Sequence, residues 1–250
     1  MDYPFHPWEY KVYHKTFLKD VHLVIGYASE DSVDTIYEKI FVFCDEQYHV
    51  SYNENEREVA KKNGAQIVSA DKMTKFVFKS NLVSLHLKTP AYNQIKVALV
   101  MMKYIYGYLN TLNRPKVDGL KFYKFNELAY ETTDNSSLLE IMGSVFSTEL
   151  MNLIDEKDKA EQGSLARWEK IQKKSAINEN GDNFVIEFGY QKSSTELNKG
   201  AITLKTQIEN TSLSLEVDKL EEKILKFNQI LDEGFHWCIN PSIIKVMEAE

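Results

Sequence analysis

The apolar residues Val217, Leu220, Ile224, Phe227, Leu231 and Phe235 recur at steps of three and four. That spacing is one stripe of an amphipathic α-helix, and a stripe of this length has to be buried against another element. The segments before it offer a partner. Phe184, Ile186 and Phe188 alternate with Val185, Glu187 and Gly189; Ile202, Leu204, Thr206 and Ile208 alternate with polar neighbours, and Leu213, Leu215 and Val217 resume the pattern. Period-two alternation marks strands with one face in a core, and turn signals at 178–181 and 193–200 separate them. With a further strand pattern over 166–176, the expectation is a one-sided antiparallel meander covered by the long helix. The run Phe235-His-Trp237-Cys-Ile239-Asn-Pro241 then reads as a hinge into a short helix carrying Ile243, Ile244 and Met247. Phe235, Trp237 and Ile239 are assigned to the core.

The first half has a related layout. Val21–Tyr27 has strand composition, Ser29 and Asp31 offer N-caps, and Val33, Ile36, Tyr37, Ile40 and Phe41 form a helical stripe. Residues 45–64 are polar. Two strand patterns follow, at 65–70 and 75–88, the second interrupted at Lys79-Ser-Asn81 as in a hairpin or bulge. A long helix spans Tyr92 to Leu112. It is apolar around much of its circumference, which predicts the most buried helix of the chain. A strand over 120–128 and a helix opening at Ser136 or Ser137 complete the order. The class is α+β: two mostly antiparallel sheet blocks, each closed by a long amphipathic helix, the first compatible with ferredoxin-like connectivity. The boundary is expected between an N-terminal β/α half, 1–132, and a C-terminal part, 133–250, of helix, antiparallel meander and closing helices. One continuous domain is the alternative.

The net charge is −7, and the lysines are interspersed with acids, so a general phosphate-binding surface is disfavoured. Cys44 and Cys238 lie in apolar surroundings and read as buried thiols of a reducing compartment. Met1 to Trp8 lacks a basic region followed by an apolar run, and the longest apolar stretch, Val97–Met102, falls well short of the ~20 residues of a membrane helix. A cytoplasmic protein is expected.

Motifs that announce chemistry are missing from the sequence: no phosphate loop, no H-E-x-x-H, no C-x-x-C and no G-x-S-x-G. His22 and His86 sit in strand patterns and could meet in a metal site only through the fold; no metal ligand is assigned. The carboxylate pairs Glu221-Glu222 and Asp232-Glu233 read as solvated helix faces. No catalytic residue and no cofactor are expected, and the balance leans away from an enzyme. Candidate partner-binding residues are the aromatics of an N-terminal arm, Tyr3, Phe5, Trp8 and Tyr10, together with Arg167 and Trp168. Arginine makes bidentate contacts and tryptophan anchors interfaces.

Several segments carry a resemblance: Ser69-Ala-Asp71, Phe78-Lys-Ser-Asn-Leu82-Val-Ser-Leu85, Tyr92 at the head of the long helix, Leu120-Lys-Phe-Tyr-Lys-Phe-Asn126, and Phe235-x-Trp237-x-Ile239 before a closing helix near Met247. Together they resemble a sporadically distributed prokaryotic family of uncharacterised proteins of similar length. The chain departs from that pattern at Leu18-Lys-Asp-Val21, where the family has a proline-containing strand start, and at Lys121, where it has an arginine. The family's patchy distribution is similar to that of defence and toxin–antitoxin genes. The expectation is a non-catalytic interaction protein, a subunit, adaptor or neutralising partner in a prokaryotic defence or conflict system, with a protein partner or a homo-oligomer. One alternative is a nucleic-acid-binding or RNA-processing protein with tandem ferredoxin-like halves. Another is a small-ligand sensor or enzyme whose site assembles only in the fold.

Overall fold

The computed structural model describes residues 16–89, 95–131, 138–153, 170–179, 181–192 and 199–249. Along the chain lie β1 (Leu18–Ala28), α1 (Val33–Tyr48), α2 (Glu54–Asn63), β2 (Ala65–Val68), β3 (Thr74–Lys79), β4 (Leu82–Lys88), α3 (Ile95–Leu109) and β5 (Lys116–Glu131). Then come α4 (Leu138–Val145), α5 (Thr148–Met151), β6 (Lys170–Glu179), β7 (Asp182–Lys192), β8 (Lys199–Asn210), β9 (Leu215–Glu216), α6 (Leu220–Cys238) and α7 (Pro241–Glu248). The class is mixed α+β with antiparallel sheet. The chain divides into two compact units, one made of 20–122 with 209–228, the other of 1–19, 123–208 and 229–250. Strands β5 and β8 and helix α6 each start in one unit and finish in the other.

In the first unit the strands lie in the order β2-β3-β4-β1-β5, with β9 on β5. The pairs β2–β3, β3–β4 and β4–β1 are antiparallel. Taken as β1-α1-β3-β4-α3-β5, the connectivity is ferredoxin-like, and β2 is an added edge strand. Local chemistry sets the helices. Ser32 caps α1 by accepting from the Thr35 amide, and α1 ends at His49 in the left-handed region, φ 54°. Asn53 and Glu56 form a capping box that starts α2, with both bonds at 3.0 Å. The core side of the sheet shows Leu23, Ile25, Phe76, Phe78, Val83 and Leu85, all buried, as are Ile40, Phe41 and Phe43 of α1 and Met102, Ile105 and Tyr108 of α3. Rings interlock there: Phe43 meets Phe78 at 5.8 Å between centroids, and Phe78 meets Tyr108 edge-on at 5.2 Å. Inside this apolar layer the Tyr27 hydroxyl donates to the Lys79 carbonyl and lies 2.6 Å from the Tyr108 hydroxyl. Burial pushes both phenols well above the ordinary tyrosine range.

In the second unit the order is β5-β8-β7-β6, and β6–β7 is an antiparallel pair from Lys170↔Gln191 to Glu179↔Asp182. Strand β7 departs from one-sided alternation: Phe184, Val185 and Ile186 are all buried, so both faces are covered there. The apolar stripe of the C-terminal helix is buried as its spacing predicts, at Leu220, Ile224 and Phe227 in the part that belongs to the first unit and at Leu231 in the part that belongs to the second. The aromatic run after it is not a hinge: α6 continues through Cys238, and the break falls at Ile239-Asn240. Phe235 and Ile239 are buried as expected, whereas Trp237 is half-buried. Asn240 caps α7 with Pro241 in its first turn. The same junction is tied to the α4–α5 connection by reciprocal backbone bonds, Ser147 N–H to the Cys238 carbonyl and Asn240 N–H to the Val145 carbonyl, both 2.8 Å. Asp232 is not part of a merely solvated face: its carboxylate pairs at 2.6 Å with Lys124, which is buried on β5. Gly234 allows α6 to approach β7, since a Cβ there would stand 2.3 Å from the Phe184 ring.

Candidate interaction surface

Helix α3 carries more apolar surface than its unit buries. Ala98, Met102, Ile105, Tyr108 and Leu109 form the buried stripe, at the three- and four-residue spacing of one helical face. The opposite side is not covered to match. Val100 is 58 % exposed, Val97, Met101 and Tyr104 beside it are half-exposed, and so are Leu99 and Tyr106 on the other flank. Positions 97, 100, 101 and 104 follow the same spacing, so they make one continuous ridge. The expectation that this helix is the most buried fails here, because among the described residues no element covers Val100 on its second apolar face. Its charged residues are Lys96 and Lys103, both exposed, and it has no acidic residue. Lys103 leans over the Tyr104 ring, its Nζ 4.7 Å from the centroid.

The ridge borders a groove between α1 and α3 of about 460 Å³, lined by Phe43, Glu46, Gln47, Lys103, Tyr104, Gly107 and Thr111. Tyr104 also packs against Tyr48 at 5.3 Å and Phe76 at 5.9 Å between centroids. The ridge is therefore backed by a packed aromatic cluster.

A polar cluster of a different kind lies on the other side of the same sheet. The β1–β4 register sets His22 opposite His86 and Asp20 opposite Lys88. The imidazoles stack with centroids 3.7 Å apart, and His86 Nε2 is 2.8 Å from Asp20 Oδ1. His22 and His86 are 64 positions apart in sequence (86 − 22), so no local motif could announce them. The two histidines come together through strand pairing, as the sequence allowed only the fold to do.

Both cysteines are buried and free. Burial pushes the Cys44 thiol up to about 12 and the Cys238 thiol higher still, so neither is a thiolate near neutral pH. The sequence-derived partner-binding residues Tyr3, Phe5, Trp8, Tyr10, Arg167 and Trp168 all lie outside the described residues. The α3 ridge is visible in the sequence as surplus apolar positions, which periodicity alone places in the core. No family model matches the chain, and no curated protein matches its sequence. The geometry defines an α+β protein with ferredoxin-like connectivity in one unit, and among the described residues no helix is long and apolar enough to cross a membrane.

Proposed function

We propose that this protein is a non-catalytic interaction protein, a subunit, adaptor or neutralising partner, that takes an acidic, apolar segment of a protein partner on the outer face of α3. The observation that carries this reading is Val100, 58 % exposed at the middle of a ridge whose other members are apolar and half-exposed. Contiguous exposed apolar surface of this sort marks interaction sites. The partner's chemistry follows from the charges. Lys96 and Lys103 stand on the ridge with no acidic residue on the helix, in a chain of net charge −7, so a complementary segment brings carboxylates beside its apolar anchors. Two lysines are too few to drive nucleic-acid affinity.

The resemblance to a sporadically distributed prokaryotic family supports a place in a defence or conflict system, and the two buried thiols fit a reducing cytoplasm. Affinity purification from the native host, comparing wild type with Val100→Glu and with Val59→Glu on α2, tests the reading. A partner retained by wild type and Val59→Glu but lost with Val100→Glu supports it. Equal recovery with all three proteins refutes it.

A further inference from the structure

We propose that Asp20, His22 and His86 form a binding site for one divalent transition-metal ion, with Zn²⁺ the best-matched occupant. The three ligand atoms already lie within 4.8 Å of one another, each on a half-buried side chain. First-row metals bind imidazole nitrogen and carboxylate oxygen at about 2.0–2.2 Å, which separates neighbouring ligand atoms by roughly 3.3 Å. The imidazoles stack at 3.7 Å with their planes 23° apart, so binding requires both rings to tilt out of the stack until their nitrogen lone pairs point at one ion, a side-chain rotation that leaves the strands in place. The backbone is well suited to it. His22 and His86 are Cα partners on adjacent antiparallel strands, and Asp20 precedes His22 by two residues, so all three project from one face.

The donor set decides the class of ion. Two imidazoles and one carboxylate match Zn²⁺, Ni²⁺, Co²⁺ and Fe²⁺, and match Mg²⁺ and Ca²⁺ poorly because these prefer all-oxygen shells. Three protein ligands leave at least one position for water or for a donor from another molecule. The hydrogen bond from His86 to Asp20 is what the metal replaces, since both atoms become ligands. Cations on the paired strands flank the cluster: Lys75 on β3 is the Cα partner of His86, and Lys88 on β4 is the partner of Asp20. Their charge opposes a metal cation and weakens the site relative to one without them.

The test uses the full chain without a polyhistidine tag, stripped with a chelator and titrated calorimetrically with ZnCl₂ and with CoCl₂. The expected result is one ion per chain, with affinity falling at least about tenfold in His22→Gln and in His86→Gln and less in Asp20→Asn. Equal binding by wild type and the His22→Gln/His86→Gln double variant would overturn the proposal, as would no binding by wild type. A second readout needs no variant. In ¹H–¹⁵N spectra of the wild type, paramagnetic Co²⁺ should perturb the amides of 20–24 and 84–88 first. Perturbation centred on His49 or on the N-terminal His6 and His14 would place the ion elsewhere and sink the assignment.

Discussion

Replacing Gly234 by alanine sets two known effects against each other, and the structure says which wins. Alanine is favoured over glycine in a helix interior by about 1 kcal/mol, so helix propensity alone predicts stabilisation. Against it, the new Cβ would stand 2.3 Å from Phe184 Cζ and 2.9 Å from Cε2. Carbon atoms in contact sit at about 3.5–4.0 Å, so the ring or the helix would have to move by more than about 1 Å. Phe184 is fully buried, so its ring can retreat only by displacing other buried atoms. Overpacking of this severity belongs at the upper end of about 1–3 kcal/mol, leaving a net loss of about 2 kcal/mol. Urea unfolding followed by circular dichroism measures it. Phe184→Leu should relieve the clash, so the double mutant should be less destabilised than the sum of the singles by more than about 0.5 kcal/mol. If Gly234→Ala raises stability by about 1 kcal/mol, or if the two changes are additive, the close approach of α6 to β7 is not as described.

Tyr27→Phe should cost about 1–3 kcal/mol, because it deprives the Lys79 carbonyl of a donor and leaves the buried Tyr108 hydroxyl unpaired; Tyr108→Phe, which leaves Tyr27 bonded to Lys79, should cost less. Denaturant titrations of both variants check the order. The two cysteines should be silent to a thiol reagent in the native protein and both react once it is unfolded; rapid native labelling of either would contradict their burial. Burial raises the Tyr52 and Tyr106 phenols and the Cys44 thiol to about 12 in the folded state, above their unfolded values. Their contribution is therefore complete below the unfolded values, near 9 for the thiol and 10 for the phenols, and declines as pH rises from there through about 12. A urea midpoint that holds steady through that alkaline window would refute it.

How legible the chain was depends on the range of the interaction that decides each feature. The C-terminal stripe and the break at Lys79-Ser-Asn81 are local, and α6 and the β3–β4 hairpin follow from them. Helix α2 lies within a stretch whose polar composition hides it, although Asn53 and Glu56 spell its capping box three residues apart. The end of α6 is ambiguous in the sequence because Phe235, Trp237 and Ile239 are as compatible with a helix as with an extended hinge. The alternation runs on from β8 into β9, and Asn210, whose side chain accepts from the Ser212 amide, marks the turn between them. Non-local facts were out of reach. Nothing near Gly234 in sequence mentions Phe184, and nothing near His22 mentions His86. The surplus apolar face of α3 was plain in the sequence, but periodicity cannot tell a face covered by a core from one left for a partner.

That distinction carries the functional account, and site-specific photo-crosslinking in cells tests it most directly. A photoreactive phenylalanine derivative at position 100, on the α3 ridge, is compared with one at position 59 of α2, where the native valine is almost equally exposed, 57 % against 58 %. The account predicts a discrete adduct from position 100, containing a partner segment rich in acidic and apolar residues, and none from position 59. No adduct at position 100, or the same adducts from both positions, would contradict it.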